Sequence, residues 1–384
     1  MRSVYIGSLW IGLLVLPFAG LWKSALVGGC LLAGSLLWCL RYTWSRWILS
    51  VPFVRPSLIE MALLVQWVWR SCQRPWTQLL GLVGLVGVPL FLNNYFIDVL
   101  TLTGIYVVLA LGLNIVVGLA GLLDLGYIAF YAIGAYTYAL LYTQFGVSFW
   151  VGMPLGGLAA AVFGIILGLV TLRLRGDYLA IVTLGFIQIV HLILNNWDRL
   201  THGPNGILNI GRPAIGNFQF HQPIHFYYLI LAIALLTLVV VNRLNQSRIG
   251  RAWIAIREDE VAAAAMGIHT TQYKVLAFTL GATWAGIAGT FFAAKSAFIS
   301  PESFTFFESV IVLCMVVLGG MGSIPGVILG ASILVILPEV LRGLAGYRML
   351  FFGVLLVLMM IFRPQGLMAS PRRKIELETR AEIG

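Results

Sequence analysis

Residues 100–142 read LTLTGIYVVLALGLNIVVGLAGLLDLGYIAFYAIGAYTYALLY, and Asp124 is the only charged side chain among them. A helix needs about 20 apolar residues to cross a bilayer core roughly 30 Å thick. The stretch therefore holds two spans, 100–118 and 122–142, joined around the glycine-rich turn Gly118-Leu-Ala-Gly-Leu-Leu-Asp-Leu-Gly126. Applied outward, the same ruler places spans at 4–22, 24–40, 78–97, 151–172, 178–197, 226–242, 273–294, 305–322, 326–343 and 347–362. The expected fold class is an all-α polytopic integral membrane protein with about 10–12 transmembrane helices, the glycine-rich ones being candidates for broken or re-entrant segments.

Composition agrees. Of 384 residues, 60% are hydrophobic and 10% charged, against about 25% charged in soluble domains. The net charge of +10 sits between apolar runs, with no aromatic-interleaved basic patch, so it sets topology and does not point to nucleic acid. An even span count puts both termini on one side, and the tail Arg372-Arg373-Lys374 makes that side cytoplasmic. Lys23, Arg199, Arg212, Lys295, Arg342 and Arg348 are then the only basic residues on the other face or its edge. Met1-Arg2 opens an apolar run with no cleavage-like site before Trp22, which reads as a retained first span. Cys30, Cys39, Cys72 and Cys314 have no C-x-x-C spacing and read as small packing residues.

The organisation expected is an N-terminal membrane extension over 1–92, a core over 93–367 and a cytoplasmic tail over 368–384. Segment 41–77, with Trp44, Trp47, Trp67, Trp69 and Trp76 among its arginines, reads as an interfacial helix ending in a turn at Pro75. The loop 198–225 lies outside and is turn-rich.

Catalytic signatures are missing. The dipeptide Gly-Lys does not occur, so no Walker-type phosphate loop is present and the chain is not expected to hydrolyse ATP itself. No H-E-x-x-H or G-x-S-x-G appears either. His221 and His225 flank Pro223 in the outer loop and read as solvated histidines, not a metal site. No cofactor is expected.

The cytoplasmic segment 243–272 contains the one long stretch that combines dense charge with strong helix formers, RIGRAWIAIREDEVAAAAMG at 248–267. Glu258, Asp259 and Glu260 suit a helix start, Ala262 to Ala265 continue it, and Gly267 can end it. Small side chains would let this helix approach another surface closely; an ordinary solvated loop helix is the equally simple alternative.

Several motifs here also carry a resemblance. Arg173-Leu-Arg-Gly-Asp-Tyr-Leu-Ala-Ile-Val-Thr-Leu-Gly-Phe186 resembles branched-chain amino acid ABC permeases of the LivM type. So do Gly203-Pro-Asn-Gly-Ile207, Gly250-Arg-Ala-Trp253 with Arg257-Glu-Asp-Glu260, Ser300-Pro-Glu-Ser-Phe304, Leu318-Gly-Gly-Met-Gly-Ser323 and Arg363-Pro-Gln-Gly-Leu367. The resemblance covers 93–367. It implies an ABC importer permease fold in the bacterial inner membrane. It also implies a homologous second permease subunit, two cytoplasmic ATP-binding subunits and an external solute-binding protein as partners. The coupling loop to the ATPase would include Gly250, Arg251, Arg257, Glu258, Asp259, Glu260, Ala263 and Gly267, with Glu260, Ala263 and Gly267 at the interface. The segment departs from the general importer signature: Gly267 falls seven residues after Glu260 and not six, and no proline follows at the expected distance.

Candidate pathway residues are Gly121, Asp124, Gly126, Glu308, Gly319, Gly320 and Gly322. Ionisable groups inside a bilayer default to function, although Asp124 and Glu308 fall near span ends and also read as interfacial. The glycines suit close helix packing or unwound backbone beside a cavity. The expected function is translocation of branched-chain or other neutral amino acids by alternating access. A urea or short-amide permease is the alternative within the family. An ion-coupled secondary transporter is the alternative outside it, and would want ionisable groups at mid-bilayer.

Overall fold

A computed structural model describes residues 92–340 except 172, 173, 175, 216 and 217, together with Val86, Gly87, Pro89, Gly353, Val357 and 366–368. The expected spans 4–22, 24–40 and 347–362, the interfacial helix in 41–77 and the tail fall essentially outside the described residues. All elements below belong to the unit that starts at Val88.

Helix α1 (Asn94–Leu113) runs on into a π-helical turn, Asn114–Leu119. Sequence reading ends one span at 97 and starts the next at 100. The break lies earlier, at extended Asn93, and Asn94–Ile97 belong to α1. Residues 120–126 are irregular, and α2 (Tyr127–Phe145) starts five residues later than expected. The turn around Gly121, Asp124 and Gly126 is not helical, which moves that boundary.

Then follow α3 (Phe149–Val170), α4 (Asp177–Asn196) and the short α5 (Asp198–Thr201). The outer loop carries β1 (Ile207–Leu208), β2 (Ala214–Ile215) and β3 (Phe218–Gln219) before α6 (Pro223–Gln246). Two amphipathic helices come next, α7 (Arg248–Glu258) and α8 (Glu260–Ala265). The chain continues through α9 (Thr270–Ser296), β4 (Phe298–Ile299), α10 (Phe306–Gly319) and α11 (Ile324–Val340). β1 and β4 pair antiparallel through Ile207–Ile299 and Leu208–Phe298, which clips the outer loop to the end of α9. β2 and β3 form a small hairpin.

Six described helices are long and apolar enough to cross a membrane: Asn94–Leu119, Phe149–Val170, Asp177–Asn196, Pro223–Gln246, Thr270–Ser296 and Pro301–Gly319. Ile324–Glu339 is a shorter apolar helix. Helix α2 has 19 residues but is rich in tyrosine, and Tyr127, Tyr131, Tyr136 and Tyr138 are all buried. It is an inner helix, enclosed by α3, α9 and the neighbouring elements.

The two faces of α3 explain how the bundle closes. Val151, Leu155, Leu158, Val162, Phe163, Ile166 and Leu169 are exposed, as large apolar groups facing lipid would be. Gly152, Gly156, Ala160, Gly164 and Gly168 are buried at four-residue spacing. That stripe packs on α9 so tightly that a Cβ on Gly156 would come within 2.2 Å of the Thr290 methyl, and one on Gly164 within 2.7 Å of Ala282 Cβ. Lipid tails are as apolar as leucine, so association inside the membrane relies on such close backbone approach.

Candidate functional site

Helix α7 begins at Ser247, whose hydroxyl accepts from the Gly250 amide at 3.3 Å. Gly250, Ala252, Trp253 and Ile256 form its buried face, while Arg251 and Glu258 are exposed. Trp253 is fully buried and its indole N–H donates to the Tyr273 carbonyl at 2.7 Å. This anchors α7 to the start of α9.

The charged run does not open a single helix as expected. Glu258 ends α7, and Asp259 is extended between the two helices. The Asp259 carboxylate accepts from the Val261 and Ala262 amides at 2.8 and 3.0 Å, which caps α8. Gly267, at φ +84°, follows the last turn. A side chain there would be strained, so glycine suits the sharp exit toward α9.

Burial separates the coupling-loop candidates. Glu260 pairs with Lys274 of α9 at 2.6 Å, with side-chain exposures of 22% and 6% respectively. Ala263 is also buried. The exposed face of α8 and its exit is instead Val261 (64%), Met266 (84%), Gly267 and the small residues Ala262, Ala264 and Ala265. Sequence reasoning passed over Val261 and Met266; with Ala263 facing inward, helical periodicity turns Val261 and Ala265 outward.

Arg257 reaches furthest inward. Its Nη1 donates to the Gly118 carbonyl at 2.7 Å, across 139 residues of chain. The wide turn at Asn114–Leu119 ends the helix, so its last carbonyls need partners from elsewhere. Leu122 N–H serves Val116 and Ala120 N–H serves Ile115; the guanidinium of Arg257 serves Gly118. Gly121, at φ +72°, lies against the Arg257 stem, where a Cβ would come within 2.6 Å of Cγ. Gly322, at φ +84°, completes the cluster: its Cβ position is 3.5 Å from Arg257 Nη1, and its amide donates to Asn114 Oδ1 at 2.9 Å.

Gly319 and Gly320 stand at the joint between α10 and α11. Gly319 packs on Gly326, and the Leu318 and Gly319 carbonyls accept from the Leu367 and Met368 amides at 2.8 and 3.1 Å. The Gly366-Leu367 part of the last motif is therefore a cap for α10.

The remaining pathway candidates lie elsewhere. Asp124 is fully buried within the protein, and its Oδ1 accepts from the Gly126 amide at 2.8 Å. Leu125 N–H donates to Thr183 of α4 at 3.0 Å, and Gly126 abuts the Thr183 carbonyl. Glu308 sits in the first turn of α10, where a carboxylate complements the helix dipole, and accepts from the Tyr106 hydroxyl at 2.7 Å. So Gly121 and Gly322 meet around Arg257, whereas Glu308 lies at the far end of α10 from Gly319. Asn114 and Lys274 were not picked from sequence, and Trp253 entered only as the end of the Gly250–Trp253 motif. Asn114 and Lys274 carried a usable signal, as polar side chains in or at the edge of apolar runs.

On the opposite side, an open cleft of about 710 Å³ is lined by Thr143, Asp198, His202, Asn205 and neighbouring loop backbone. Among the described residues no cluster of three or more His, Cys, Asp or Glu side chains is arranged to hold a metal. Arg212 Nη1 lies 3.3 Å from His221 Nδ1.

Residues 95–363 match the family model described as branched-chain amino acid transport system / permease component. The chain is 48% identical over 321 residues to the high-affinity branched-chain amino acid transport system permease protein LivM of Salmonella typhimurium, covering 78% of this chain and 76% of that protein. It is also 48% identical to LivM of Escherichia coli K12, covering 79% and 77%. LivH of Escherichia coli K12, described as a permease protein of the high-affinity branched-chain amino acid transport system, is 27% identical over 73% of this chain and 96% of its own length. No solved structure matches the chain.

Proposed function

From the premise that this chain belongs to the family of branched-chain amino acid transport permease components, we propose that it is the membrane-spanning subunit of an ATP-driven ABC importer for branched-chain amino acids. The carrying observation is 48% identity to LivM over more than three quarters of both chains. The partners in this reading are a second, homologous permease, two cytoplasmic ATP-binding subunits and an external solute-binding protein. ATP hydrolysis takes place in the ATP-binding subunits, since this chain has no phosphate loop. Both termini face the cytoplasm of a bacterial inner membrane, and α7 and α8 meet the ATP-binding subunit there.

In that assembly the exposed face of Val261, Met266 and Gly267 is the docking surface. Small and flexible apolar side chains suit a groove that must hold through a conformational cycle. Closure of the two ATP-binding subunits moves α7 and α8, and the membrane helices exchange between two packings, each stabilised in turn. Among the described residues the membrane helices carry few ionisable groups, which supports an energy source outside the membrane and not an ion gradient.

The test is uptake in proteoliposomes holding the whole complex. ATP- and binding-protein-dependent uptake of leucine, isoleucine and valine supports the reading. Uptake of urea in their place moves the substrate, and uptake driven by an ion gradient without ATP overturns it.

A further inference from the structure

Helices α7 and α8 are tied to the membrane helices at two separate places. The first is α9, through Trp253 to the Tyr273 carbonyl and Glu260 to Lys274. The second is the joint formed by the π-helical end of α1 and the turn between α10 and α11, and it is held by Arg257. The two places differ in kind. The body of α9 is a continuous 27-residue helix packed along α2 and α3. The Arg257 joint consists of chain breaks: a π-helical turn and two positive-φ glycines, Gly121 and Gly322.

A rigid element and a broken one held by the same short helix form a lever. If α7 shifts relative to α9, the guanidinium must either drag the Gly118 carbonyl with it or release it. Release leaves that carbonyl without its charged donor, a substantial penalty away from water. The Arg257 stem packs directly on Gly121, in the space that a Cβ there would fill, so the stem and the 118–122 backbone are in close contact. Asn114 carries the displacement onward, because its Oδ1 holds the Gly322 amide. Motion of α7 is thereby delivered to the ends of α1 and α10 together.

We infer that Arg257 is the positioning residue that transmits movement of the cytoplasmic helices to the glycine joint of α1, α10 and α11, acting inward and not as a contact for the ATP-binding subunit. This rests on the importer reading above. The planar guanidinium of arginine can hold the Gly118 carbonyl through Nη1 while its stem packs on Gly121; lysine keeps a donor but not that shape.

The experiment measures leucine taken up per ATP hydrolysed by the complete complex in proteoliposomes, a ratio that does not depend on how much complex assembles. The variants are Arg257→Lys, Arg257→Gln and Arg257→Ala, with Arg243→Ala at the exposed end of α6 as the control. The ratio should fall about tenfold for Arg257→Ala, the scale of a modest coupling free energy, with Lys and Gln intermediate and the control unchanged. A second variant, Gly121→Ala, should lower the same ratio by displacing the Arg257 stem. Equal ratios in all Arg257 variants, or a loss of hydrolysis and uptake in strict proportion, overturn the inference. If the unaltered complex shows no ATP-dependent uptake, the importer reading fails first, and the two failures are thus distinct.

Discussion

The Lys274 ammonium lies 2.6 Å from Glu260 Oε1 while its own side chain is only 6% exposed. A buried cation beside a membrane bundle is tolerated because its counter-ion comes from the adjoining helix, so the pair joins α8 to α9. Removing one partner of a buried pair leaves the other unpaired, at a cost of about 3–5 kcal/mol. Glu260→Gln should therefore lower the thermal unfolding midpoint of the detergent-solubilised chain. Lys274→Met should lower it less, since Glu260 is 22% exposed and keeps some access to water. The double variant should recover part of the loss, and strict additivity of the two would speak against the coupling.

Trp253 separates packing from hydrogen bonding. Trp253→Phe retains most of the buried ring but loses the bond to the Tyr273 carbonyl, for a cost of about 1–2 kcal/mol. Trp253→Ala adds a cavity and should cost about 3–5 kcal/mol. Unfolding midpoints measured side by side should rank wild type, Phe, Ala.

At Gly134 of α2, a Cβ would fall 2.2 Å from the Gly286 carbonyl of α9. Gly134→Ala should force the two helices apart, at a cost of about 1–3 kcal/mol, and Gly134→Leu should abolish the folded peak in size-exclusion chromatography. Gly146→Ala tests the opposite case, because nothing lies within 4 Å of its Cβ position; its smaller penalty should come only from backbone strain at φ +63°.

Loss of the Asp259 cap should fray α8 without disturbing the bundle. Asp259→Ala should cost about 1 kcal/mol, and amide hydrogen exchange should speed up at 260–265 while α9 stays protected. Asp259→Asn, which can still accept from the Val261 amide, should keep most of the protection.

Much of the architecture was legible in the chain. Residues 151–172, 178–197 and 273–294 read as spans and correspond to α3, α4 and α9 within a few residues, because lipid demands an uninterrupted apolar helix. Where glycines and Asp124 interrupt the pattern, boundaries moved. The 122–142 span became α2 from Tyr127, and α10 is a 14-residue helix ending at Gly319. Hydropathy counts apolar residues, and it is blind to turns whose backbone polar groups are satisfied by distant side chains such as Thr183 or Arg257.

By itself, then, the amino-acid sequence determined that the chain is a bundle of apolar helices with a charged, helix-forming segment at 248–267. Both follow from local composition, and composition decides what lipid and water will accept. Only the tertiary structure decided which way that segment's side chains face. Glu260 and Ala263 turn toward α9, Val261 and Met266 stay uncovered, and Arg257 finds Gly118. The physical reason is that these partners belong to other helices. Which of them come within hydrogen-bonding reach depends on how closely glycine-faced helices pack, and that distance is a property of the assembled bundle.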